Sequence, residues 1–153
     1  DEEQGRLALR NYDPQFQSIV RRGDILVAGR NFGCGSSREQ AATAIRACGL
    51  ALVIAESVSQ TYQRNAMNNA IIVIECPELL GFLVEQLRPC PETRTIVGPT
   101  ARVRFDRGCV ECGGKEFVFR PLNETAQALI MAGGLEAMVA SRLARNGQAV
   151  GAR

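Results

Sequence analysis

The chain has 153 residues, 46% of them hydrophobic, with 18 basic and 16 acidic side chains and a formal charge of +2. That is one domain's length with enough apolar material for a core, which excludes a disordered chain. The near-neutral balance has no basic run to suit nucleic acid, and no apolar stretch approaches the roughly 20 residues of a membrane span.

The start, Asp1-Glu2-Glu3-Gln4, is acidic and resembles neither a signal nor a transit peptide; it begins without Met, as a processed chain or a fragment would. Asn11-Tyr12-Asp13-Pro14 predicts a turn, followed by a short helix through Phe16 and Ile19-Val20. Ile25-Leu26-Val27-Ala28 predicts a first strand. Residues 39–47 read as a helix whose apolar face is Ala41, Ala42, Ala44, Ile45 and Cys48, with Gly49 as its C-terminal glycine. Residues 50–55 are nearly all apolar, as in a strand buried on both faces, so 25–55 form a βαβ unit with parallel strands.

The pattern repeats with a helix over 59–69 and a strand over 71–74. Pro77 opens an amphipathic helix carrying Leu79, Leu80, Leu83, Val84 and Leu87. Beyond Pro89 and Pro91, residues 95–97, 101–105 and 116–119 alternate between glycine and proline turns, which predicts a β-meander. Asn123 caps a helix over 124–132, Gly133-Gly134 breaks it, and 135–144 form a last helix.

Histidine is absent, which removes the commonest general base and metal ligand. Of the six cysteines, Cys48 and Cys76 lie in apolar context and read as small core residues. Cys109 and Cys112 form a C-x-x-C among Gly108, Gly113 and Gly114, expected on a turn. Zinc or iron–sulfur ligation there lacks a fourth ligand, with Cys90 the one plausible third. A solvated hairpin with free thiols, or a local disulfide, is the expectation.

The most informative segment is Asn31-Phe32-Gly33-Cys34-Gly35-Ser36-Ser37-Arg38-Glu39-Gln40, between the first strand and the first long helix. Ser36-x-x-Glu39 and Ser37-x-x-Gln40 each satisfy a capping box, so either serine could simply cap the helix. A dinucleotide fingerprint is a poorer match, since Arg38 stands where glycine is wanted, and no P-loop lysine follows. Two hydroxyls exceed what a cap needs, and a cation in the first helical turn is unfavourable unless an anion sits there too. The corner thus suits a carboxylate clamp, or a serine whose alkoxide is stabilised by donors and positive field.

This segment resembles the swivel-domain signature of the aconitase superfamily. Tyr12-Asp13-Pro14-Gln15-Phe16, residues 23–29 and Arg64-Asn65-Ala66-Met67-Asn68-Asn69-Ala70 are similar to the same domain in the same order. Gln40-Ala41-Ala42-Thr43-Ala44 resembles the fungal homoaconitase type, where the isopropylmalate isomerase type usually carries His after the Glu; Gly133-Gly134-Leu135-Glu136 points the same way.

The resemblance implies an α/β fold, a three-layer swivelling β/β/α domain over residues 1–153 with a mostly parallel central sheet. It implies that the family's opening strand and substrate loop lie upstream of Asp1. It implies Ser36 as catalytic base, Arg38 as the grip on a substrate carboxylate, and Ser37 and Gly35 as substrate-binding neighbours. The family's [4Fe–4S] cluster, whose iron acts as Lewis acid on the substrate hydroxyl, is implied on a separate large domain or subunit, so this chain is expected to bind no metal. The substrate implied is a small tricarboxylic or hydroxy acid, with no nucleic acid or membrane partner. The implied location is the mitochondrial matrix for the fungal homoaconitase type and the cytoplasm otherwise. A regulatory or RNA-binding relative would need a basic stripe, which the charge balance does not supply.

Overall fold

A computed structural model describes residues 5–6, 8–35 and 39–141. In chain order the elements are α1 Phe16–Ile19, β1 Ile25–Ala28, α2 Glu39–Ala47, β2 Leu52–Ala55, α3 Gln60–Asn68, β3 Val73–Glu75, α4 Pro77–Leu87, β4 Ala101–Arg104, β5 Cys109–Cys112, β6 Lys115–Val118 and α5 Glu124–Ala132. Residues 135–141 form a further helix, the described part of the one expected over 135–144.

β1, β2 and β3 lie in that spatial order as a parallel sheet, with Ile25 opposite Leu52 and Val53 opposite Val73. All four residues of β2 are buried, as a central strand covered on both faces should be. Side-chain alternation sends its residues into two cores. Val53 joins Ala42 and Ile45 of α2 and Tyr62 and Ala66 of α3. Leu52 and Ile54 join Leu79 of α4 with Val110, Cys112 and Phe119. The molecule is therefore layered: two helices, the parallel sheet, then α4 with a second, antiparallel sheet β4-β5-β6. This is the expected α/β class with its parallel central sheet.

Caps explain several boundaries. The Ser59 hydroxyl accepts the Tyr62 N–H at 3.2 Å, and the Asn123 carboxamide oxygen accepts the Ala126 N–H at 2.8 Å. Gly49 at φ +78 ends α2. Gly134 at φ +107 lies so near the end of α3 that a Cβ there would be 2.5 Å from the Asn68 carbonyl oxygen. Two segments far apart in sequence that both carry the resemblance thus meet backbone to backbone.

Two expectations fail. Residues 95–97 pair with no strand among the described residues; they form an unpaired strap instead. The strap is tied to the N-terminal turn. Arg94 Nη1 donates to the Tyr12 carbonyl at 2.8 Å, and the Tyr12 hydroxyl donates to the Arg94 carbonyl at 3.2 Å. The C-x-x-C is not on a turn but is itself β5, the middle strand of the meander. Gly113 and Gly114, at φ +57 and +74, make the tight hairpin that follows it.

Candidate functional site

The loop after β1, residues 29–35, stands at the carboxyl end of the parallel sheet, where open α/β sheets bind ligands. The loop after β2 stands beside it, and the two are stapled together. Asn31 N–H donates to the Ser57 hydroxyl at 2.8 Å, Phe32 N–H to the Ser57 carbonyl at 2.9 Å, and Ser59 N–H to the Phe32 carbonyl at 2.9 Å. Arg30 pairs with Glu56 across the same gap. The third strand contributes as well, since the Glu75 carboxylate accepts the Val58 N–H at 2.8 Å.

Beneath this lattice sits the first turn of α3. The Ser59 hydroxyl donates to the Gly33 carbonyl at 3.0 Å. Gly33 has φ +77, and a Cβ there would fall 2.3 Å from Tyr62 Cβ and Cγ, so only glycine fits. Phe32 meets the Tyr62 ring edge-on, with centroids 5.0 Å apart. Tyr62 is 2% exposed, and its hydroxyl has no hydrogen-bond partner among the described residues; burial pushes its pKa up to about 12. Sequence reasoning placed Ser59 at the start of a helix but missed Ser57, Tyr62 and Glu75. The usable signal was the serine pair Ser57-x-Ser59 at the end of a buried strand.

Beyond Gly33 the chain rises into solvent. Cys34 and Gly35 are exposed, and a Cβ at position 35 would have no atom of the described residues within 4 Å beyond its chain neighbours. α2 then begins at Glu39. Ser36, Ser37 and Arg38 lie outside the described residues. Of the predicted site residues, Gly35 is the one the structure describes.

Metal ligation was tested against the thiols. Cys109 and Cys112 are 2% and 3% exposed and unpaired. Three residues apart on a strand, their side chains leave opposite faces of the sheet, so they can neither share one ion nor bond to each other. This corrects the expectation of a solvated hairpin or local disulfide. Cys76 lies in the core, Cys34 and Cys90 are exposed and far apart in sequence, and Cys48 donates to the Gly5 carbonyl at 3.0 Å. Among the described residues no three Cys, Asp or Glu side chains gather as a metal site, so these residues do not fit an iron–sulfur cluster.

Residues 2–79 match the family model of the aconitase C-terminal domain. The chain belongs to that family. It is 42% identical over 154 residues to the mitochondrial homoaconitase of Eremothecium gossypii, covering 95% of this chain and 22% of that protein. It is 38% identical over 145 residues to the 3-isopropylmalate dehydratase small subunit of Heliobacterium modesticaldum, covering 94% of this chain and 80% of that subunit. Its fold matches the crystal structure of a 3-isopropylmalate dehydratase from Methanocaldococcus jannaschii with a TM-score of 0.81 and 28% identity, over 96% of this chain and 81% of that one. The family's relatives are hydro-lyases, and the chain spans about a fifth of the homoaconitases but most of the small subunits. The model's match, 2–79, contains the whole stapled corner.

Proposed function

We propose that this chain is the swivel domain of a homoaconitase, interconverting homocitrate, cis-homoaconitate and homoisocitrate in lysine biosynthesis. The observation that carries the reading is the corner: a stapled loop at the carboxyl end of three parallel strands whose last described residues, Cys34 and Gly35, are exposed and lead in sequence to Ser36, Ser37 and Arg38. In this reading Ser36 removes the α-proton of the substrate, its alkoxide favoured by the field of the helix start. Arg38 holds a carboxylate in a bidentate fork, and Ser37 and the Gly35 backbone bind beside it. The [4Fe–4S] cluster belongs to a separate large domain or subunit, and the described thiols support that division. Gln40 after Glu39 favours homoaconitase over the second reading, a 3-isopropylmalate dehydratase small subunit, whose relatives cover the chain almost as closely. A homoaconitase of the fungal type would work in the mitochondrial matrix.

The test is turnover of homocitrate against 3-isopropylmalate by the full protein with its cluster-bearing part, wild type and Ser36→Ala. Ser36→Ala is expected to cut kcat by about 10³-fold or more with a smaller change in KM, because a base acts in the transition state. Near-normal kcat would leave Ser36 a helix cap. Preference for 3-isopropylmalate would establish the second reading.

A further inference from the structure

We propose that Tyr62 is the positioning residue of the glycine corner, its ring setting where the loop backbone lies. The proposal rests on the corner being the reactive site. Gly33 lies directly against Tyr62, as the 2.3 Å approach of a notional Cβ shows, and Phe32 packs edge-on to the same ring. Ser59, which caps the helical turn carrying Tyr62, bonds the Gly33 carbonyl. Two consecutive corner residues are therefore fixed by a single turn of α3. The ring also belongs to the core cluster of Ala42 and Ile45 on α2, the helix into which the corner runs. Tyr62 thus joins two described segments, the loop at Phe32 and Gly33 and the α2 core at Ala42 and Ile45.

The ring cannot follow the loop, because close-packed neighbours hold it; the loop follows the ring. The contacts to the corner are made by the ring and its Cβ, and no described group bonds the hydroxyl, so the aromatic plate is assigned the positioning. A reacting group displaced by about 1 Å costs on the order of 10²-fold in rate, whereas a carboxylate grip tolerates such a shift better.

The experiment compares Tyr62→Leu and Tyr62→Phe in the full protein with its cluster-bearing part, together with amide hydrogen exchange. Tyr62→Leu is expected to lower kcat by about 10- to 100-fold with KM within about threefold, and Tyr62→Phe, the conservative variant, to restore it. Exchange in Tyr62→Leu should quicken at Phe32, Gly33 and Cys34 while Leu52–Ala55 stay protected. Gly33→Ala lifts the loop off an intact ring and should give the same split even if Tyr62→Leu fails to fold. Unchanged kcat in Tyr62→Leu and Gly33→Ala, or a Tyr62→Phe as impaired as Tyr62→Leu, overturns the proposal. So does loss of β2 protection in step with the loop. If the wild type turns over neither substrate, the reading of the site has failed, and the exchange pattern still decides whether Tyr62 sets the loop.

Discussion

The parallel sheet and the antiparallel meander solve the same problem, how to hold a glycine turn against an aromatic ring, to different ends. In the parallel half Gly33 presses on Tyr62, a buried residue of α3, and the loop is bonded to Ser57 and Ser59 of the connection after β2. In the meander Gly113 presses on Phe82 of α4, a notional Cβ falling 2.7 Å from the ring, with Lys115 stacked over its face. The first contact places the exposed loop that we propose as the reactive corner. The second only docks one sheet on a helix, and its surroundings are exposed ion pairs such as Arg107–Glu116 at 3.1 Å. Equal steric tightness therefore does not mean equal function; what differs is the chain that follows each glycine.

Paired glycine substitutions test that difference most directly. Gly33→Ala and Gly113→Ala each force a side chain onto a ring at positive φ and should each destabilise by about 2–4 kcal/mol in denaturant titrations. Phe82 sits partly exposed and can yield, so Gly113→Ala should fall at the lower end. With both proteins still folded, only Gly33→Ala should depress turnover of the assembled enzyme, by about 10²-fold. Comparable losses of kcat from both variants would mean that the halves act as one unit.

Most of the parallel half was legible because its signals are local. The apolar run at 50–55, the caps at Ser59 and Gly49, and Pro77 each act within a few residues of where they stand. The meander was half legible. Thr95, Ile96 and Val97 have strand propensity, but propensity needs a partner edge, and Arg94 is spent on Tyr12 instead. The C-x-x-C misled because flanking glycines look the same whether they form the turn or bound the strand between two turns. The corner's place after the first strand was legible in the sequence, whereas its support was not: Tyr62 reaches Gly33 across 29 positions, and no pattern within α3 marks it.

The thiols offer a middling effect on the meander side alone. Cys112→Ser places a hydroxyl in the core beside Val110 and Phe119 and should cost about 1–3 kcal/mol. Cys109→Ala with Cys112→Ala should cost less and leave the metal content and kcat of the assembled enzyme within about twofold. Elemental analysis decides it: loss of a bound metal in the alanine pair would show that the two strand faces converge after all.

The smallest effect probes the tie between the halves. Asp13 is nearly buried, and the Thr95 hydroxyl, the Gln15 N–H at 2.9 Å and the Arg94 guanidinium hold its carboxyl below the ordinary 3.8. The sign follows from linkage. With the folded value depressed, Asp13 favours the folded state fully above the unfolded pKa, from about pH 5 upward. Between the two values the unfolded chain binds the proton first, so that contribution declines as pH falls and is gone below the folded value. Asp13→Asn should therefore melt lower than wild type at neutral pH, and the gap should close on acidification. Thr95→Val, which removes the first of the three donors, should shrink the gap without abolishing it. Because the strap leads into β4 while Tyr12 and Asp13 precede β1, a loosened tie should speed hydrogen exchange at 93–97 and leave the corner's amides alone. If the corner opened too, the rigidity assigned to Ser59 and Tyr62 would instead depend on the strap.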